Sequence, residues 1–478
     1  MVSNQIPLNE FVTLQRGFDL PKGDRIEGAI PVVASTGVAG HHNEAKVIAP
    51  GVVIGRSGSI GGGQYIQDDF WPLNTTLWVK DFKGHHPRFV YYLFKSIDFS
   101  IFNVGSGVPT LNRNHLSSLM VRNIGVDNEK EIAKFLGGLD DKIDLNKQTN
   151  QTLEKMAQAL FKSWFVDFDP VFDNLLASAD FKLDNLETSL PDELKQKAQR
   201  RLAALNSLEN AAEFKASLIA LAHELQALSQ TQSAVQVSEK AAETPVKASL
   251  NANPKILAQH ANTHAHFPNE FEHNEQLGWI PKGWSVNNLS KIAKFTSERV
   301  NGDDLTFDNY ISTDNMRPNR GGITKASKIP EVKTIPGFHP GHILISNIRP
   351  YFKKIWLATS SGGRSNDVLG FEALEPKNTG YLFNLLFQDV FFDYMMTTSK
   401  GSKMPRGDKK AIMDWMIVIP PDHIQENYSI LVKEFYKTIP LKNKEINILT
   451  ELRDTLLPKL ISGELQIPDS ANVSDNNI

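Results

Sequence analysis

Apolar residues recur in alternating steps of four and three along two stretches of the chain. The first stripe runs through Ile132, Leu136, Leu139, Ile143, Leu153, Leu160 and Trp164, with Asn146, Asn150 and Ala157 completing its turns. The second runs through Tyr428, Val432, Phe435, Ile439, Ile446, Leu449, Leu456 and Leu460, and is interrupted by Lys442 and Arg453. The spacing predicts two long helices, each with a heptad seam. Pro440 is expected to kink or break the second helix, and Pro458 is a second candidate break. Two matched stripes in one chain bury most simply against each other; the alternative is that each packs on its own globular domain. Pairing favours an antiparallel arrangement, because a parallel one would send the connecting segment back along the rod. A helix of about 38 residues would be about 57 Å long.

Ahead of each helix the pattern changes to short β-branched runs broken by Gly, Pro and Asn. "KVIAPGVVIGRSG" and "GFHPGHILISNIRP" each read as a turn feeding a buried strand. "PRFVYYLFKSIDF" and "TGYLFNLLFQDVFFDYMM" read as short amphipathic helices. The two stretches also echo each other. "GSGVPTLNRNHLSSLMV" begins at Gly105 and "GSKMPRGDKKAIMDWMI" at Gly401, and the same offset carries Leu153 onto Leu449 and Leu160 onto Leu456. The chain is therefore read as one unit written twice. The expected fold class is α+β: two mixed α/β, mostly β, domains and two long helices forming an antiparallel coiled coil, with internal pseudo-two-fold symmetry. The expected segments are a first domain over 1–126, a helix over 127–169, an insert over 170–276, a second domain over 277–422, a helix over 423–465 and a disordered tail over 466–478. Within the insert, "LPDELKQKAQRRLAALNSLENAAEFKASLIALAHELQAL" predicts a helical hairpin. "SQTQSAVQVSEKAAETPVKASLNANPK" is polar and predicts a flexible linker.

The chain has 478 residues, no cysteine and a net charge of −3, so disulfides and thiolate metal sites are excluded. A nucleic-acid surface would have to be local. No apolar run is long enough to span a bilayer and no signal peptide is evident, and the lack of cysteine fits a reducing cytoplasm. Catalytic signatures are absent. There is no G-x-x-x-x-G-K-[ST] loop and no H-E-x-x-H. "GRSGSIGGG" reads as a tight turn, and "IPPDH" as the exit from a strand. The histidine pairs at 41–42 and 85–86 lack the spacing of a metal site. The histidines of "AQHANTHAHF" read as polar filler, and Asp68-Asp69 and Asp140-Asp141 as solvated faces.

Basic and polar loop chemistry does stand out. "SKGSKMPRGDKK" sets five cations against Asp408 alone, and "NIRPYFKK" sets Arg349, Lys353 and Lys354 around Tyr351 and Phe352. Such loops suit a phosphate backbone, with Arg, Asn, Ser and Thr available for base edges. In the first domain the DNA-binding candidates are Arg56, Ser57 and Ser59, followed by Gly105, Ser106, Thr110, Asn112 and Arg113. In the second they are Ser346, Asn347, Arg349, Lys353 and Lys354, then Arg364 and Ser365. The echoed loop adds Lys400, Gly401, Ser402, Lys403, Arg406, Lys409 and Lys410.

Several long motifs, in order, resemble specificity subunits of type I restriction–modification systems. "HFPNEFEHNEQLGWIPKGWSV" resembles the entry to one of their target-recognition domains. "NQTLEKMAQALFKSWFVDFDPV" resembles the end of their central helical region, and "LTELRDTLLPKLISGEL" their C-terminal helix. The insert after "VDFDPV" is longer than the basic plan needs. The resemblance implies a chain without catalytic residues, in which each recognition domain reads one half of a split, non-palindromic target on double-stranded DNA. The helices would set the gap and dock two modification subunits, and restriction subunits would then join. S-adenosylmethionine, ATP and Mg are expected on those partners, with no metal or membrane for this chain. Two rival readings stay open at this point: a stand-alone DNA-modifying enzyme, and a scaffold that never meets DNA.

Overall fold

The computed structural model describes residues 5–105, 107–186, 190–231, 263–401 and 403–467. The chain divides into two compact units, Met1–Asn150 with Leu441–Ile478, and Gln151–Pro440. The division falls within the two long helices, Val126–Phe165 and Asp422–Ser462.

The first unit begins by pairing its ends. Strand Gln5–Pro7 lies antiparallel to Met120–Arg122, the segment just before the first long helix. Between them, four strands form an antiparallel sheet in the order Thr13–Arg16, Thr76–Asp81, Gly51–Gly55, Gly61–Ile66. Every residue of Gly51–Gly55 is buried, because the strand is covered on both faces. Val52 and Ile54 face a core that holds Phe89, Tyr92 and Leu93 of helix Pro87–Ser96. Val53 faces the other way, towards Val33, Phe70 and Trp78. This is the period-two alternation of a strand buried on both sides.

The second unit repeats the plan. Strand Ser285–Asn288 pairs with Met416–Ile419, again the segment before a long helix. Its four-stranded sheet has the corresponding order, Ala293–Phe295, Val368–Ala373, Ile343–Ser346, Ile355–Leu357. Ile343 and Ile345 enter the main core, whereas Leu344 joins Ile311, Phe338 and Val368 behind the sheet. In each unit the accessory sheet contains one parallel pair, Ile30–Ala34 with Trp71–Pro72 and Tyr310–Ile311 with Gly362–Arg364. The predicted duplication is therefore present in the end-pairing strands and the four-stranded sheet, while the accessory sheet has three strands in the first unit and four in the second.

Within each unit the long helices run antiparallel, and they pack both on each other and on the domain. In the first unit Ile132 and Leu136 are buried with Leu457, Leu460 and Ile461 against the helix Pro87–Ser96, and Leu139 and Leu456 pack at the edge of that core. Ile143, Asn146 and Asn150 are buried further along, and Asn150 donates to Asn443 at 2.9 Å. In the second unit Ala157, Phe161 and Trp164 meet Tyr428 and Val432, with Leu160 and Phe435 beside them. Leu153, Ile439, Ile446 and Leu449 are half-buried.

Several expectations need correction. Of the kink or break expected at Pro440 the break is absent, and neither Pro440 nor Pro458 ends the second helix, which continues through both. Each proline removes one intrahelical bond, at a cost of about 3 kcal/mol. Packing of Tyr428 and Val432 before Pro440, and of Leu457, Leu460 and Ile461 around Pro458, holds the helix regardless. Asp140 is not on a solvated face. It accepts from Tyr92 Oη at 2.6 Å and from Arg453 Nη1 at 2.7 Å, so Arg453 is the seam's polar partner rather than a fault in it.

The insert is also more structured than filler. Helices Asp169–Ser178, Asp192–Asn206 and Ala211–Thr231 include the predicted hairpin. They join the core of the second unit through Phe172, Leu176, Leu194 and Leu218. Buried Asp173 accepts from Arg201 Nε and Nη2, both at 2.7 Å, and lies 3.0 Å from His264 Nε2. His264 is thus a structural residue and not linker polarity. The polar linker itself, from residue 232 to 262, lies outside the described residues, as does the tail beyond 467.

Candidate nucleic-acid interface

The echoed loops hold the same place in their respective units. In each, the loop that precedes the final strand is clamped onto the turn that leaves the central strand. In the first unit Gly58 N donates to Pro109 O at 2.9 Å and Leu111 N to Arg56 O at 2.8 Å. In the second, Arg349 N donates to Pro405 O at 2.8 Å, and Ile348 bridges Arg406. Pro109 and Pro405 are the shared prolines of the repeated phrase, so the repetition corresponds to a repeated backbone clamp.

Each loop is closed on itself as well. Val104 N donates to Thr110 O at 3.0 Å, and Asn103 Oδ1 accepts from the backbone of Gly105 and Thr110. Lys400 and Arg406 exchange both backbone bonds, at 2.9 and 3.0 Å. A Cβ at Gly105 would come within 1.9 Å of Val108 O, so this position needs glycine. Asn103 is absent from the sequence-based candidates. Its signal was a side-chain carbonyl two residues before a glycine, the pattern of an Asx turn.

The clamped positions share a backbone conformation but not a residue type. Gly58 has φ +84°, and its counterpart Arg349 has φ +51°. An L-residue in this left-handed region costs about 1–2 kcal/mol. Three further non-glycine residues nearby are left-handed: Asn319, Arg320 and Lys353. Asn319 N donates to Phe352 O and Arg320 N to Lys353 O, at 2.7 and 2.9 Å, which interlocks the two turns.

Among the candidates, Arg349, Lys400, Lys403, Arg406, Lys409 and Lys410 are exposed, as are Ser59, Asn112 and Arg113 of the first unit. Arg56, Ser57, Gly105, Thr110, Lys353, Lys354 and Ser365 are half-buried, and Gly401 is exposed. Ser106 and Ser402 lie outside the described residues. Several cations are held by neighbours. Lys400 meets Asp408 at 2.6 Å, Arg406 meets Asp367 at 3.1 Å and Lys353 meets Asp389 at 2.7 Å. Lys354 Nζ donates to Thr313 O at 2.6 Å. Surface pairs of this kind are worth little. Asp408 also caps the helix Lys409–Met413 by accepting from Lys410 N and Ala411 N. The hydrogen bond from Lys400, together with these two amides, holds its carboxyl below the usual range.

Three candidates do not face outward. Arg364 is buried, donates to Val368 O at 2.5 Å and to Thr296 Oγ1 at 2.8 Å, and burial lowers its pKa. Gly370 makes room for it, since a Cβ there would lie 2.8 Å from Arg364 Nε. Ser346 and Asn347 are also buried, and Ser346 donates to Ile348 O. Ser346 and Asn347 shape the turn from behind, whereas Arg364 ends its own strand, Gly362–Arg364, bound to Thr296 and Val368. Their positions at the ends of buried strands, which sequence alone did not separate from the exposed turn, explain the difference. Among the described residues no cluster of groups fits a metal ion, and no helix is long and apolar enough to cross a membrane.

Residues 4–155 match the family model described as the type I restriction modification DNA specificity domain. The chain is 27% identical over 386 residues to the type I restriction enzyme HindI specificity subunit of Haemophilus influenzae, covering 75% of this chain and 71% of that one. It is 21% identical over 413 residues to the MjaIX specificity subunit of Methanocaldococcus jannaschii, with 80% and 70% covered. The crystal structure of a type I restriction–modification S subunit from M. genitalium superposes with a TM-score of 0.53 at 14% identity, covering 95% of each chain. That last likeness is one of fold.

Proposed function

We propose that this chain, a member of the family of type I restriction–modification specificity subunits, reads a split DNA target, one half with each sheet-rich unit. One observation supports this above the others. The same loop is clamped by the same proline carbonyl in both units, yet it carries different side chains. A common frame with exchanged side chains is what two readers of unlike half-sites require, and it makes the target non-palindromic. The exposed cations Arg349, Lys403 and Arg406 would meet phosphate or base edges in the second half; half-buried Arg56 and exposed Asn112 and Arg113 would do so in the first.

In this reading the chain is not itself catalytic. The two long helices set the gap between half-sites, and their outer faces dock two modification subunits. S-adenosylmethionine would be used on those subunits, and ATP and Mg on restriction subunits that join them. The work is done in the cytoplasm, on double-stranded DNA, in defence of the host against foreign DNA.

Methylome mapping of cells that carry the chain with its modification subunits tests the proposal. The expected result is methylation at one bipartite, non-palindromic sequence, lost when this chain is deleted. Methylation that persists without it would reject the reading. Removing matched heptads from both long helices should change the spacer and leave each half-site intact.

A further inference from the structure

The turn that leaves the central strand differs between the two repeats in one respect that basic loop chemistry does not explain. In the first unit the strands pair up to Gly55 and Gly61, so the turn is short and rich in glycine. In the second the pairing stops at Ile345 and Ile355, and the longer connection carries Pro350, Tyr351 and Phe352. Tyr351 is 49% exposed and Phe352 37%, with ring centroids 4.7 Å apart. Pro350 beneath them is buried. Two adjacent aromatic rings left in water forfeit the burial that would stabilise them elsewhere.

The turn is held rigidly in that exposed position. It is bounded by two left-handed residues, Arg349 and Lys353, neither of them glycine. Backbone bonds from Arg349 to Pro405, from Asn319 to Phe352 and from Arg320 to Lys353 fix it from three sides. Such strain persists only where surrounding structure enforces it, and it clusters at binding sites. Cations flank the rings: Arg349 opens the turn, Lys354 Nζ lies 5.6 Å from the Phe352 ring, and the clamped loop pairs Arg406 with Ile348, while Asp389 and Asp367 hold Lys353 and Arg406. A pair of stiff, exposed rings set in positive charge matches stacked bases between phosphates.

We propose that Tyr351 and Phe352 form an aromatic wedge that stacks on, and partly opens, a base step in the second half-site. This rests on the DNA-reading function proposed above. The wedge belongs to one half-site only, because the first unit has Ser59 and Ile60 in the corresponding turn.

The test uses the full-length chain without modification subunits and duplexes of the mapped target. 2-Aminopurine is placed at one position at a time across both half-sites. A severalfold rise in fluorescence is expected at one or two adjacent positions of a single half-site. The double variant Y351A/F352A should abolish that rise and weaken binding about tenfold, with the dependence on salt unchanged because phosphate contacts remain. Y351N/F352N, which places turn-compatible polar residues at these exposed positions, controls for folding and should also lose the rise. Unchanged fluorescence and affinity in the double variants would overturn the wedge while leaving DNA reading intact. So would a rise that persists in both double variants, which would assign the opened step to other groups. Failure of the unaltered chain to bind the duplex at all would instead strike the proposed function.

Discussion

Arg453 on the second long helix donates to Asp140 on the first at 2.7 Å, and the same carboxylate accepts from Tyr92 Oη at 2.6 Å. The three groups tie both helices of the first unit to the domain helix Pro87–Ser96. Burial, and then the bond to Asp140, pushes the Tyr92 hydroxyl far above the ordinary tyrosine range. The phenol therefore stays protonated and keeps donating.

Removing the cation leaves a sheltered carboxylate with one donor. We expect Arg453→Met to destabilise the chain by about 2–3 kcal/mol. Adding Asp140→Asn should recover about half of that, since an amide needs no counter-charge. Thermal unfolding of both variants decides it: a double variant no more stable than Arg453→Met alone would count against charge isolation as the cause.

Two helical glycines should respond in opposite ways to alanine. A Cβ at Gly137 would lie 2.7 Å from Arg88 Cζ, the far end of a flexible side chain. Arg88 can move, and about 1 kcal/mol of helix propensity offsets its weakened pair with Asp141. Gly137→Ala is therefore expected to be near neutral. At Gly380 the Cβ would meet Val432 Cγ2 at 2.9 Å and the Ser429 backbone at 3.0 Å. That backbone belongs to a packed helix, so Gly380→Ala should cost about 1–3 kcal/mol. Unfolding midpoints that rank them the other way would refute the distinction.

Acid should loosen the insert. Burial alone would raise the Asp173 pKa, but hydrogen bonds from Arg201 and His264 outweigh it and leave the pKa below the usual value. A carboxyl depressed on folding adds stability above its unfolded pKa of about 3.9, and that stability is lost as pH falls through the lower folded value. The insert should thus resist proteolysis at pH 5 and yield below about pH 4. Arg201→Met removes the main compensation and should move the loss to higher pH. Digestion profiles across that range, with cleavage sites mapped, provide the measurement.

Arg406→Ala should weaken binding at one half-site about tenfold and spare the other. Competition between duplexes altered in one half at a time reads the effect. Equal loss in both halves would argue that Arg406 acts through general charge.

Much of the architecture was legible because its signals are periodic. The heptad stripes located both long helices, and the echoed Gly-Ser-x-x-Pro phrase located matching loops. What the sequence hid were partners distant in the chain. Arg453 looked like a break in a stripe because Asp140 and Tyr92 come from other segments, and His264 looked like linker polarity because Asp173 lies far upstream. Arg364 read as a surface cation, since nothing local reveals that Thr296 and Gly370 build a buried berth for it. Pro440 and Pro458 were read from local rules that tertiary packing overrides.

The clamp at Pro109 and Pro405 is made entirely of main-chain atoms. Outward side chains on either loop can therefore differ, as the two repeats illustrate, while Asn103 and Gly105 are needed to close the first loop. Under the proposed function, a new recognition sequence would call for changes in outward side chains and not in the frame that presents them.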